Sequence, residues 1–354
     1  MFENNSDLVN VINFTDISDT SLINSPTKLL IKQIHDVLIV FLLIIIMFAM
    51  GCTVTLKQIV KHLMKPLPLF AGLVSQFIIY PLIAFLLIKF LSIEPLYATG
   101  LLILATCPGG VLSNVFTYFW EGDIPLSITM TTMATIVGLV AMPLNIWLYG
   151  QSLETESLVI PYKQMSLTLL FITIPVLIGI AVNYKFPKAS PLITKIGSIA
   201  GFAVIIVCHT LEVIIFPNIF KNIPLEVLVT DALLPIIGLS VGYLTASLLC
   251  LSYKIKKTIA IEIGIKNLGT ALTIITLSFP LKYLQKTILF PILYTFFTFA
   301  TLITFTIVIK IGEKYYQKSS NNRIINNNES KRLSAAKCLL QRDITSISFI
   351  KEDN

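Results

Sequence analysis

The chain has 354 residues, of which 55% are hydrophobic and only 13% charged, a composition that excludes a soluble globular domain. Its mean hydropathy of +0.84 marks a polytopic membrane protein. The net charge of +7 is spread over short basic clusters between apolar runs, as in cytoplasmic loops, and this excludes the basic stripe of a nucleic-acid-binding fold.

Taken in order, residues 1–34 form a polar extracellular tail without the charged-then-apolar start of a signal peptide. Asn4 and Asn13 each head an N-x-S/T triplet and are glycosylation candidates. Residues 35–312 form the membrane domain. A spanning helix needs about 20 mainly apolar residues, which predicts nine spans, near 36–55, 67–88, 95–120, 125–149, 163–183, 193–216, 227–250, 258–279 and 288–311. Residues 313–354 are rich in Asn, Ser and Lys and read as a disordered cytoplasmic tail. With the N-terminus outside, 18 of the 26 basic residues fall inside and 7 outside, with Lys266 in the membrane. That bias favours an outside N-terminus and an inside C-terminus, from which an odd number of spans follows.

The five cysteines have no CxxC or paired spacing and read as small apolar residues, Cys338 in the tail excepted. His209 and Glu212 share a helix face, where a pair packs or hydrogen-bonds more often than it binds a metal. No nucleophile constellation or phosphate-cradling loop occurs, so an enzyme or an ATP-driven pump is not expected.

Two spans are interrupted. The third carries Pro108-Gly109-Gly110, and the eighth carries Gly264 and Gly269 within Ile261–Thr270, IEIGIKNLGT. Glu262 and Lys266 at bilayer depth each cost about 2.5–3.5 kcal/mol unless they face the protein interior or water. Broken helices at that depth are tolerated only where protein or a cavity surrounds them. If one leading helix is missing, both halves are five-helix units broken at the equivalent helix. Paired breaks of this kind point to the midplane binding site of a secondary transporter built as an inverted repeat. Ser113, Asn114, Thr131 and Glu262, with Ser127 one turn before Thr131, supply hydroxyl, amide and carboxylate oxygens of the type a hard cation such as Na+ takes. The bland alternative is that these hydroxyls bond back to helix carbonyls or glue helices together.

The strings GCTV at 51, SQFIIYPL at 75, CPGGVLSN at 107, GDIPLSITMTT at 122 and EIGIKN at 262 resemble, in order and spacing, the motifs of the sodium/bile acid cotransporter family. The resemblance covers about residues 35–312. It implies a core domain of spans 2, 3, 4, 7, 8 and 9 with two crossed discontinuous helices, spans 3 and 8, and a panel of spans 1, 5 and 6. Carried over by motif, one sodium site would use Ser113, Asn114, Ser127, Thr131 and Glu262. A second would use Gln76, Glu262, the carbonyls of Ile263 and Ile265, and position 266, with Asn267 near the crossing and the substrate cleft.

The family pattern has glutamine where this chain has Lys266. A lysine ammonium there is expected to act as a tethered cation in the second site, paired with Glu262 at i+4. The alternatives are that it pairs with an anionic substrate or snorkels to the inside water. The reading is a symporter in the plasma membrane for amphipathic organic anions such as bile acids or sulfated steroids. Na+ is the coupling ion, or coupling is altered by Lys266; no other cofactor is implied, and membrane lipid is the surrounding partner. The rivals are a cation/proton antiporter and a non-transporting receptor or docking protein. The substrate, the sodium stoichiometry and the oligomeric state stay open at this point.

Overall fold

The computed structural model describes residues 26–55, 60, 62, 64, 66–154, 160–217 and 219–311. The glycosylation candidates Asn4 and Asn13, Cys338 and the predicted tail 313–354 lie outside the described residues. Among the described residues all regular structure is helical except one isolated bridge. The chain divides after Thr301; the second unit, from Leu302, contributes the helical residues 302–311, and the account below concerns the first.

In chain order the helices are α1 (Pro26–Cys52), α2 (Leu67–Phe90), α3 (Pro95–Thr106), α4 (Val111–Phe119), α5 (Ile124–Gly150), α6 (Tyr162–Lys185), α7 (Ser190–Ile215), α8 (Leu225–Leu248), α9 (Tyr253–Gly264), α10 (Leu268–Ser278) and α11 (Lys282–Ile311). Seven of them, α1, α2, α5, α6, α7, α8 and α11, are long and apolar enough to cross a membrane. Each interrupted span is a pair of short helices, α3 with α4 and α9 with α10. The chain is therefore an all-helical polytopic membrane protein, and exposed Phe41, Ile78, Leu86, Leu144, Ile178 and Leu244 are the side chains that such a surface presents to lipid.

Local chemistry explains the boundaries. Proline stands at the first positions of α3, α5 and α7, where its missing N–H costs nothing. Asp123 caps α5, its carboxylate accepting from the Leu126 amide at 3.1 Å. Gly269 does not break a helix as its residue type suggested. It lies inside α10, because Asn267 caps that helix by accepting from the Thr270 amide at 3.1 Å.

Pro81, inside α2, cannot donate to Phe77, and the turn before it relaxes into a π-turn over Ser75–Ile79. The freed Phe77 carbonyl accepts instead from Asn145 Nδ2 of α5 at 2.9 Å. This substitution of a side chain for a lost backbone donor fixes α2 against α5 and turns Gln76 inward, where it is buried.

Glycines set two close helix contacts. A Cβ on Gly51 of α1 would lie 2.2 Å from the Val176 carbonyl of α6, and one on Gly238 of α8 would lie 2.7 Å from Gly264 Cα of α9. Helix α1 packs most extensively on α7 and α6, and α8 on α9. A buried polar cluster joins α1, α7 and α11: Glu212 contacts His35 Nε2 at 3.3 Å and His209 Nδ1 at 2.7 Å. His209 Nε2 meets the Thr295 hydroxyl at 3.2 Å, and Asp36 bonds Lys32 at 2.5 Å. The expected His209–Glu212 face is thus a hydrogen bond, and His35, Asp36 and Lys32 extend it.

Candidate functional site

The two breaks meet. The Asn267 amide donates to the Pro108 carbonyl at 2.9 Å, and Gly109 and Lys266 form an antiparallel bridge. Proline ends α3 because it cannot continue the ladder, and Cys107, Gly110 and Ile265 are extended, so each break has backbone groups free to pair. Glycine is required at this approach. A Cβ on Gly109 would lie 2.7 Å from Glu262 Oε2, and one on Gly110 would lie 3.2 Å from Asn267 Cα.

Glu262, at the end of α9 and 2% exposed, is the centre of an oxygen cluster. The Ser113 hydroxyl of α4 reaches Oε1 at 2.8 Å, the Thr131 hydroxyl of α5 reaches Oε2 at 2.9 Å, and the Ser127 hydroxyl of α5 also reaches Oε1. Ser127 Oγ lies 2.8 Å from Asn114 Oδ1 as well, so all five residues of the first expected ion site stand together. The proton count is informative. Ser113 also faces the Gly110 carbonyl at 2.6 Å, and Thr131 also faces the Ser127 carbonyl at 3.0 Å. Three hydroxyls, with one hydrogen each, therefore face six acceptor contacts. Some of these close oxygen pairs have no proton between them, and that donor set suits a hard cation.

Of the second expected set, Gln76 donates from Nε2 to the Cys107 carbonyl freed at the first break, at 2.5 Å. Gln76, Glu262 and Ile263 line one narrow cavity with Gly72, Leu73, Gly109, Met130 and Ala134. Ile265 is buried in the extended stretch before the crossing. Asn267 Nδ2 is buried without a hydrogen-bond partner among the described residues.

Because α9 ends at Gly264, residues 262 and 266 do not share a continuous helix face, and Lys266 makes no hydrogen bond to Glu262, although the two groups interact electrostatically. The Lys266 side chain does not snorkel either: it is 2% exposed, with Nζ 4.0 Å from the ring centroid of Tyr80, a cation–π contact. Sequence reasoning did not find the buried Tyr80 and Tyr294, which meet Lys266 and the Gly264 carbonyl, or the buried Asn145 and Asp231. The Pro81 beside Tyr80 was the available signal for Asn145, since a helix proline leaves a carbonyl that needs a donor.

A crossing of broken helices with oxygens gathered around one buried carboxylate is the architecture of a membrane transporter rather than of an enzyme site. The family model described as the sodium bile acid symporter family matches residues 40–223. With the relatives below, this shows that the chain belongs to that family and is a transporter of it. The chain is 34% identical over 278 residues to the sodium-dependent organic anion transporter of Homo sapiens, covering 78% of this chain and 73% of that protein. The bovine protein of the same name, from Bos taurus, is 37% identical over 254 residues, 72% and 67% of the two chains. The ileal sodium/bile acid cotransporter of Homo sapiens is 34% identical over 272 residues, 77% and 78%.

Proposed function

We propose that the chain is a sodium-coupled symporter of amphipathic organic anions, bile acids or sulfated steroids, in which one sodium ion binds at Ser113, Asn114, Ser127, Thr131 and Glu262. The observation that carries this reading is the shortage of protons in the oxygen cluster around Glu262, where three hydroxyl hydrogens face six acceptor contacts. A bound Na+ supplies the missing positive charge and organises the five oxygens, and its loss loosens them. Binding is thereby linked to the geometry of the crossing. The names of the relatives, organic anion transporter and sodium/bile acid cotransporter, support the substrate class.

In this reading the two helix pairs complete nine spans with the N-terminus outside, an inverted repeat lacking its first helix. Residues 1–34 form the outer tail, 35–312 the transporter domain and 313–354 the cytoplasmic tail. Helices α1, α6 and α7 form the panel, the remaining helices form the core, and the anion binds between them in the plasma membrane. The second set, Gln76, Glu262, Ile263 and Ile265, takes no sodium, because the Lys266 ammonium acts there as a tethered cation; Asn267 lies at the substrate cleft. Transport then couples to one sodium ion.

The test is uptake of tritiated taurocholate and oestrone sulfate by cells expressing the full chain, titrated with sodium against choline. Uptake that saturates with a Hill coefficient near one is expected, rising toward two in Lys266→Gln. A coefficient near two in the unaltered chain would remove the tethered-cation reading. Binding of the anions without accumulation would favour a receptor, and pH-driven sodium flux without an organic solute would favour an antiporter.

A further inference from the structure

A histidine buried in the membrane domain faces a carboxylate with each of its ring nitrogens. His35 Nδ1 lies 3.2 Å from Asp36 Oδ1, and its Nε2 lies 3.3 Å from Glu212 Oε1 on α7. A neutral imidazole has one ring hydrogen, so one of these contacts would set a lone pair against a carboxylate oxygen. His209 has a related setting. Its Nδ1 lies 2.7 Å from Glu212 Oε2, and its Nε2 lies 3.2 Å from the Thr295 hydroxyl of α11, which also donates to the Pro291 carbonyl at 2.9 Å.

Hydrogens and charges both fall one short. The four ring-nitrogen contacts need four hydrogens, whereas two neutral imidazoles and the Thr295 hydroxyl bring three. The Pro291 carbonyl makes no further demand, because inside a helix the amide four residues on is its donor. In charge, the carboxylates of Asp36 and Glu212 stand against one ammonium, Lys32, which bonds Asp36 at 2.5 Å. That leaves one surplus negative charge among buried groups, a strongly disfavoured state. The remaining titratable groups among the described residues change neither count. Cys208, one turn before Glu212 on α7, brings a thiol, and Tyr294, beside Thr295, is bonded to the Gly264 carbonyl. Of the other helices packed on α1, α10 has no titratable residue and α6 has them only at its two ends.

We propose that this cluster is a proton-binding site: one exchangeable proton is shared by His35, Glu212 and His209, and it clasps α1 and α7 to α11. Bound, the proton completes the fourth ring-nitrogen contact and cancels the surplus negative charge. Lost, it leaves a ring lone pair facing a carboxylate and a buried charge without a counterpart. The site itself stands on these contacts. Its hold on transport rests on the proposed panel and core, because the His209–Thr295 contact joins α7 of the panel to α11 of the core. The boundary that opens in alternating access then opens more readily without the proton.

Melting of the full chain in detergent, followed from about pH 6 to about pH 9, reads the proton without requiring transport. Glu212→Gln removes one carboxylate and with it the need for the proton. The unaltered chain should therefore melt several degrees above the variant at the acid end, and the gap should shrink to about half or less at the alkaline end, where the bound proton is lost. Asp36→Asn makes the same change in charge and replaces Glu212→Gln if that variant fails to accumulate. Melting curves that stay parallel across the range overturn the site. The clasp is read at saturating sodium: taurocholate uptake should be about threefold slower at about pH 6 than at about pH 8. Thr295→Val, which cuts the boundary contact and titrates nothing, should abolish that difference. Equal uptake at both pH values removes the clasp, whereas no uptake at either faults the symport reading and leaves the melting test to decide the proton.

Discussion

Glu262 and Lys266 are four residues apart, and the break between them gives the two charges opposite surroundings. Glu262 ends α9 facing three hydroxyls from α4 and α5, while Lys266 lies in the crossing over an aromatic ring with no hydrogen-bonded partner among the described residues. One side is crowded with oxygen and short of protons. The other is short of oxygen. In the proposed symport cycle a mobile cation would bind beside Glu262, and the Lys266 side would hold a charge that stays with the protein. The difference teaches that the helix break does more than expose carbonyls: it gives two neighbouring charges, which still interact electrostatically, different contacts.

Substitutions on the Glu262 side should have the largest effect on this contrast. Glu262→Gln keeps the shape and removes the charge, and sodium-driven taurocholate uptake should fall by about 100-fold or more at equal surface expression, since electrostatic and hydrogen-bond contributions are lost together. Residual uptake with unchanged sodium affinity would mean that the ion binds elsewhere. Ser113→Ala or Thr131→Ala removes one oxygen and should raise the half-saturating sodium concentration about tenfold, matching the roughly 1–1.5 kcal/mol of one such contact.

A smaller effect is expected one shell further out. Asn145→Leu leaves the Phe77 carbonyl buried without its donor and loosens the π-turn that presents Gln76. It should cost about 1–3 kcal/mol of thermal stability, with a rise of only about threefold in half-saturating sodium. The smallest effect on sodium should come from Glu212→Gln in the α1–α7–α11 cluster. This change weakens the bonds to His35 and His209, so the melting temperature should drop by several degrees, while half-saturating sodium stays within about twofold. A large shift in sodium affinity there would show that the contrast is not confined to the crossing.

Much of this was legible in the sequence, for a physical reason. Prolines and paired glycines in apolar runs have few uses at bilayer depth, so Pro108, Gly109 and Gly110 announced a break, and hydroxyls one turn apart announced a shared face in Ser127 and Thr131. What could not be read was which helix faces which. Helical period places Asp231 on a side of α8 but does not say that Tyr80, from the first half of the chain, reaches that side. His35 and Glu212, 177 residues apart, meet only because α1 packs on α7. The i+4 spacing of Glu262 and Lys266 did not give a shared helix face for a related reason: spacing sets a face only while the helix continues, and this one ends at Gly264.

The bridge at Gly109 and Lys266 is made by main chain, as is the bond from the Asn267 amide to the Pro108 carbonyl. Neither bond reads the identity of the side chain at 266. The lattice of amides and carbonyls is indifferent to the passenger it carries, so the occupant of position 266 can be changed by substitution without dismantling the crossing beneath it.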